Sequence, residues 1–294
     1  PKFLHYWPQI AILGAVEFDH ADIYADLAAV ETAFSRLLRL LPASGVLVAN
    51  GDDPVVRRLA AEARCPVRWF GTDPAADLRA VDRHDHDAGQ DFDLYRGPHR
   101  LAAVRLPLPG EHNARNALAA LLAFEAAGGD LVQGGAALAT FLPPRRRLEV
   151  LGSKDGARFY DDFAHHPTAV AETLAALRAM GPGRLTVCLE PRSNTMVRRL
   201  VQEHLERALA LADRVLIAPV DRPERMDPQQ RLDVGALAAA LRARGIEAVG
   251  PLEPEAMAPR VLEGLETGDR IVLMSNGAFG GLADRLRRAL ESRP

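Results

Sequence analysis

Arg158-Phe159-Tyr160-Asp161-Asp162-Phe163-Ala164-His165-His166-Pro167-Thr168 joins two patterns. Arg158 to Asp161 reads as a strand, and His166 to Met180 carries apolar positions at helical spacing. Pro167 suits the first helical turn. Between strand and helix stand two acids and two histidines. Capping a helix needs only one such side chain, so their density favours a site, and a helix N-terminus favours anions. Outward from this segment the alternation continues. Arg147 to Leu151 reads as a strand before it. After it come strands at Leu185 to Glu190, Val215 to Pro219 and Ile271 to Ser275. Helical patterns lie between and beyond them at Thr195 to Leu211, Val234 to Arg244 and Phe279 to Leu290. Repeated β-α units predict an α/β fold with a parallel sheet covered by helices.

Pro143-Pro144 is the best linker in the chain, and it separates residues 1–143 from 144–294. In the first part, Ile10 to Val16, Gly45 to Asn50 and Val67 to Gly71 read as strands. Tyr24 to Leu41 and a segment opened by Asp52-Asp53-Pro54 read as helices. From Val81 to Pro107 short alternating runs, Asp91 to Tyr95 and Leu101 to Leu106, predict antiparallel strands. Helices are expected from Glu111 to Ala127, ended by Gly128-Gly129, and from Asp130 to Phe141. The chain opens Pro1-Lys2-Phe3-Leu4 and runs almost at once into a strand, so further sequence is expected upstream.

Composition narrows the function class. The 294 residues carry 36 Lys and Arg against 39 Asp and Glu, a net charge of -3. That balance gives no electrostatic case for nucleic acid or an anionic membrane. The longest apolar stretch, near Ala117 to Phe124, falls well short of the roughly 20 residues that span a bilayer. Two distant cysteines, Cys65 and Cys188, make neither a disulfide framework nor a metal-ligand spacing, and fit a reducing cytoplasm.

Further polar clusters follow predicted strands, where ligands of open α/β sheets bind. Glu17-Phe18-Asp19-His20-Ala21-Asp22 offers oxygen and imidazole ligands for a divalent cation, or a solvated loop with a cap. Asn113 and Asn116 share a helix face, where carboxamides can meet a purine edge or cap the helix. Arg145-Arg146-Arg147 offers guanidinium forks for phosphate, or a solvated basic linker. Arg192, in Glu190-Pro191-Arg192-Ser193-Asn194-Thr195, can take a carboxylate. The loop Ser275-Asn276-Gly277-Ala278-Phe279-Gly280-Gly281 allows close backbone approach.

The strings DDFAHHPTA (Asp161–Ala169), LPGEHNARNALAA (Leu108–Ala120) and RRLE (Arg146–Glu149) resemble the Mur ligase family over essentially the whole chain. KFLHY, EFDHADIY, EPRSNTM and MSNGAFGG are similar to one branch. Its members join UDP-N-acetylmuramate to the murein tripeptide in peptidoglycan recycling. The resemblance implies the later part of a central ATPase domain followed by a Rossmann-like C-terminal ligase domain. It implies a cytoplasmic enzyme that uses ATP and Mg²⁺ to form an amide through an acyl phosphate. It places His20 on a catalytic Mg²⁺, Asn113 and Asn116 near adenine, Arg147 on the phosphates and Asp162 on the ribose. Phe163, His165 and His166 would face substrate, with His165 among the catalytic residues. Arg192, Ser193 and Asn194 would meet peptide carboxylates.

Two departures stand out. No stretch matches the family's glycine-rich GKT/S phosphate loop, so these residues alone are expected to be inactive. Gly14-Ala15 stands where the branch usually has paired asparagines. The competing readings are a sister ligase that adds L-alanine, a non-catalytic nucleotide- or muropeptide-binding module, and a structural α/β domain with solvated loops.

Overall fold

The computed structural model describes residues 1–291. The chain divides between Leu142 and Pro143 into two compact units. Among the described residues no helix is long and apolar enough to cross a membrane.

The first unit begins with β1 (Ile10–Leu13), α1 (Leu27–Leu38), β2 (Val46–Asn50), α2 (Pro54–Ala60) and β3 (Val67–Phe70). The strands form a parallel sheet in the order β1-β2-β3. Asp53 caps α2 by accepting from the amides of Val55 and Val56, with Pro54 in its first turn. Asp26 caps α1 in the same way through Ala29, so this helix starts three residues later than its apolar pattern suggests. β4 (Arg79–His86), β5 (Gly89–Arg96) and β6 (His99–Leu106) then make an antiparallel meander. α3 (Glu111–Ala126) and α4 (Leu131–Ala137) follow. Leu118 and Leu122 of α3 share a core with Val48 and Phe70 of the parallel sheet and with Phe92, Leu94 and Val104 of the meander. That one helix therefore binds the two sheets together.

The second unit comprises β7 (Glu149–Lys154), β8 (Ala157–Asp162), α5 (Pro167–Ala179), β9 (Leu185–Leu189), α6 (Gln202–Leu209) and β10 (Arg214–Ile217). It continues with α7 (Val234–Ala243), β11 (Glu247–Val249), α8 (Pro254–Leu262), β12 (Arg270–Met274) and α9 (Leu282–Glu291). The strand order is β11-β10-β9-β12-β8-β7, parallel except for the β7–β8 hairpin. Alternate residues of each strand enter opposite cores. Val187, Leu189, Val215 and Val272 pack with Leu174, Leu205 and Leu237 of α5, α6 and α7. Cys188, Leu216, Ile271 and Leu273 pack with Met257 of α8 and Leu282 and Leu286 of α9. Helices on both faces explain why β9, β10 and β12 are buried at every position and mostly apolar. Burial pushes the Cys188 thiol up to about 12, which makes it a packing residue and not a nucleophile.

Phe159 of β8 is fully buried in the second of these cores. Phe159→Ala should cost about 3–5 kcal/mol, read as a lower denaturation midpoint by circular dichroism. A loss below about 1 kcal/mol would show that this core collapses onto the gap.

Candidate functional site

β12 lies between β8 and β9, with Met274 opposite both Asp162 and Leu189. The chain leaves all three strands at the same edge. The Ser275 amide donates to the Asp162 carbonyl at 3.1 Å, and the Glu190 amide donates to the Met274 carbonyl at 3.0 Å. The polar stretches after β8, β9 and β12 are thereby held side by side at the carboxyl edge of a parallel sheet.

Asp162 is only 5% exposed. Its carboxylate accepts from the amides of Leu148 and Ala164, each at 2.8 Å. The carboxylate therefore faces the backbone and fixes the segment on which Arg147 stands. Arg146 and Leu148 both have left-handed backbones, with φ of 60° and 47°. Non-glycine residues hold that conformation at a cost of about 1–3 kcal/mol each, here against the hydrogen bonds of Asp162 and Glu149. The Glu149 carboxylate accepts from the Arg146 amide at 2.9 Å and from Arg287 of α9 at 2.9 Å.

Arg146 and Arg147 have different surroundings. Arg146 pairs with Asp161 at 3.2 Å and donates to the Ser275 carbonyl. Arg147 is exposed, and its guanidinium stands 5.9 Å from the centre of the Phe163 ring. Phe163 also carries Arg146 at 5.3 Å and meets the His165 ring edge-on at 5.3 Å. Arg147 is thus the guanidinium left available to solvent or ligand. Arg146, which sequence reasoning passed over, braces the loop.

His165 Nδ1 lies 2.9 Å from the Phe163 carbonyl. A carbonyl only accepts, so Nδ1 carries a proton, and in the neutral ring Nε2 is then the nitrogen with the lone pair. His166 caps α5 by accepting from the Thr168 amide at 3.4 Å. Ser193 Oγ donates to the His165 carbonyl at 3.1 Å and accepts from the Met196 amide at 3.0 Å. Its hydroxyl is therefore a strut between the β8 and β9 loops. Asn194 is exposed.

Arg192 reaches Glu190 and Asp221, each at 3.7 Å. Glu190 is buried and accepts from the Ser275 hydroxyl, which in turn accepts from the Gly277 amide at 2.8 Å. A Cβ on Gly277 would overlap the Arg192 side chain as it stands, so a larger residue there would displace that guanidinium. Glu190, Asp221 and Ser275 were missed as site residues. For Glu190 and Ser275 the signal was their place directly after a strand.

In the first unit, His20 is exposed, with φ of 54° in the loop after β1. Among the described residues no three His, Cys, Asp or Glu side chains converge as a metal cage. A single imidazole fits a Mg²⁺ held mainly by phosphate oxygens and water. Asn113 does not cap α3; that place belongs to Gly110. Asn113 Nδ2 instead donates to the Pro109 carbonyl at 2.8 Å, while Asn116 is exposed on the same helix. Buried Gln90 fixes this turn by donating to the carbonyls of Leu108 and Gly110.

Two family models match this chain. The Mur ligase middle domain covers residues 3–124, and the Mur ligase glutamate ligase domain covers residues 146–277. The chain belongs to the Mur ligase family. It is 34% identical, over 97% of its length, to the UDP-N-acetylmuramate–L-alanyl-γ-D-glutamyl-meso-2,6-diaminoheptandioate ligase of Escherichia coli. It is 37% identical, over 95%, to a UDP-N-acetylmuramate–L-alanine ligase of Acidothermus cellulolyticus. The chain spans about 60% of the length of each relative. A murein peptide ligase structure from Psychrobacter arcticus superposes over the whole chain and 60% of its own, with TM-score 0.66 and 29% identity. A UDP-N-acetylmuramate–alanine ligase from Thermotoga maritima shares the fold at TM-score 0.75 and 21% identity, over 97% of this chain and 60% of its own. The α/β architecture is that of Mur ligases.

Burial holds the Asp161 carboxyl above its ordinary value of 3.8; Arg146 opposes the shift, and Glu149 and Asp162 add to it. A raised carboxyl favours the fold while protonated, and that contribution fades as pH rises from 3.8 through the folded-state value. Asp161→Asn, which cannot titrate, should therefore gain stability relative to the parent as pH rises through that window. Denaturation midpoints of both proteins across a pH series check the sign; a difference that is flat in pH would contradict it.

Proposed function

We propose that this chain supplies the catalytic edge of an ATP-dependent amide ligase acting on UDP-N-acetylmuramate and the murein tripeptide in peptidoglycan recycling. The observation that supports it most is the joined edge of β8, β9 and β12. There a free guanidinium at Arg147, an imidazole at His165 and a carboxylate-held guanidinium at Arg192 occupy neighbouring loops.

The chemistry divides into two displacements. A carboxylate oxygen of the muramate attacks the γ-phosphorus of ATP and ADP leaves. The peptide amine then attacks the acyl carbon, the phosphate leaves, and the nitrogen gives up a proton. Positioning and charge neutralisation are the main demands on the protein. Arg147 answers the negative charge of the phosphates. Asp162 supports nucleotide binding indirectly, because its carboxylate is spent on the backbone that carries Arg147. His165 Nε2 takes the amine proton, with Nδ1 locked on the Phe163 carbonyl. Arg192 takes a peptide carboxylate, and Phe163, His166, Ser193 and Asn194 shape the surface around it. In the first unit, Asn113 and Asn116 face adenine. His20 would complete the coordination of a Mg²⁺, which supplies charge neutralisation at the phosphates.

The resemblance to an L-alanine-adding relative at 37% identity favours a second reading, in which L-alanine is the amine. Mass spectrometry on the product of the complete reading frame separates the two. The assay contains ATP, Mg²⁺, UDP-N-acetylmuramate and either L-alanyl-γ-D-glutamyl-meso-diaminopimelate or L-alanine. UDP-muramoyl-tripeptide is the expected product. Product from L-alanine alone would move the assignment to the sister activity. No product from either would leave a nucleotide- or muropeptide-binding module. These 294 residues alone are expected to give none.

In the active protein, His165→Gln should lower turnover by about 10²-fold or more while leaving ATP affinity intact. Unchanged turnover would remove His165 from the proton transfer.

A further inference from the structure

A cavity of about 520 Å³ opens wholly within the second unit, beside the site just described. Its volume falls within the roughly 300–1,000 Å³ typical of small-ligand pockets. It lies beyond the carboxyl ends of β10 and β11 and against the start of α7. Val220, Leu232 and Pro251 give it apolar walls, and Arg199, Arg231 and Asp233 are its charged groups.

Among the described residues, neither arginine of the cavity is neutralised by a carboxylate in the way that several others of this unit are. Arg178, Arg184, Arg214, Arg244 and Arg285 are each paired with a carboxylate. Arg199 is exposed, and its guanidinium has no hydrogen-bond or ion-pair partner among the described residues. Among the described residues Arg231 donates only to the Pro223 carbonyl, at 3.3 Å. Asp233 offsets just part of this charge, and its Oδ1 is engaged in capping α7 through the Ala236 amide at 2.9 Å. That cap already serves the helix end, so recognition of an anion falls to the two guanidinium forks. The cavity is also continuous in sequence with the site. Val220 lines it, and the next residue, Asp221, holds Arg192.

We propose that this cavity binds the carboxylate-bearing aliphatic far end of the peptide substrate through Arg199 and Arg231, an inference that rests on the ligase reading above. The apolar walls suit a methylene chain, and the arginines suit its terminal carboxylates. A single amino acid has no second carboxylate to place there, so the cavity selects a peptide over L-alanine. Arg199 and Arg231 are specificity-determining residues in this account.

The test is calorimetric titration of the 294-residue chain with two probes: L-alanyl-γ-D-glutamyl-meso-diaminopimelate and the shorter L-alanyl-γ-D-glutamate. The tripeptide should bind roughly tenfold or more tightly than the dipeptide, as expected for a hydrogen bond to a charged group. The double substitution Arg199→Ala, Arg231→Gln should erase that difference and leave dipeptide affinity unchanged. Arg199→Ala alone should carry part of the loss, and this exposed, unpaired side chain can be removed without disturbing the fold. Unchanged tripeptide affinity in the double variant would overturn the cavity while leaving the ligase reading standing. Tripeptide affinity no higher than dipeptide affinity in the parent chain would likewise overturn the cavity, and the ligase reading is judged by the product assay alone.

Discussion

The pairing of β12 with both β8 and β9 is the constraint on which the second unit's chemistry depends. With Met274 opposite Asp162 and Leu189, the backbone hydrogen bonds of Ser275 and Glu190 carry the sheet's register one residue past its edge. A slip of one residue would turn each strand's side chains to the opposite face. Here it would exchange the two helix-covered cores and pull the three loops out of alignment. The register therefore ties stability to site geometry. Val272 and Met274 are locked on one face, and Ile271 and Leu273 on the other.

Beyond that edge, order depends on charges that are hard to bury. Asp161, Asp162 and Glu190 are all buried at the ends of their strands. An isolated buried carboxylate is costly, and burial is tolerated where hydrogen bonds and counter-charges supply compensation. Asp162 obtains it from two backbone amides, Asp161 from Arg146, and Glu190 from the Ser275 hydroxyl and Arg192. The compensating groups come from the same loops that form the site. Those loops are held by the carboxylates as well as by packing of Leu148, Ala164 and Met196, while Arg147 stays exposed.

The alternation of strands and helices was legible because helix-covered parallel strands are dominated by apolar residues and several of the helices are capped locally. Asp53 with Pro54, and His166 with Pro167, mark helix starts that the structure keeps. β11 escaped notice because three residues, Glu247 to Val249, carry no period. α8 escaped because Pro259 lies inside it and reads as a breaker. The helix expected from Thr195 starts only at Gln202, because Met196 and Val197 are buried in a turn that the apolar spacing mimics. Within the site, the sequence exposed clusters of chemistry but not the direction of each side chain. Arg146 and Arg147 are adjacent and alike in sequence, and a left-handed backbone at the first sends one inward and leaves the other outward. The resemblance put Asp162 on the ribose, and the sequence did not show that its carboxylate also accepts from the amides of Leu148 and Ala164.

The same division between scaffold and loop bears on substrate choice. Relatives that add a tripeptide and relatives that add L-alanine match this chain at 34% and 37% identity over nearly its full length. Most of that identity must serve what both kinds share, namely a sheet, its two cores and the edge where the loops meet. Overall similarity therefore cannot choose the amine. On the proposal above the choice falls to Arg199, which among the described residues has no carboxylate partner, and to Arg231, which among them holds only a loop carbonyl. Two cations only partly offset by Asp233 add less to the fold than Arg178 or Arg184, each bound to both carboxylate and carbonyl. A guanidinium without an internal partner is available to a partner from outside, and next to Asp221 and Arg192 the proposed partner is the far end of the peptide assigned to Arg192.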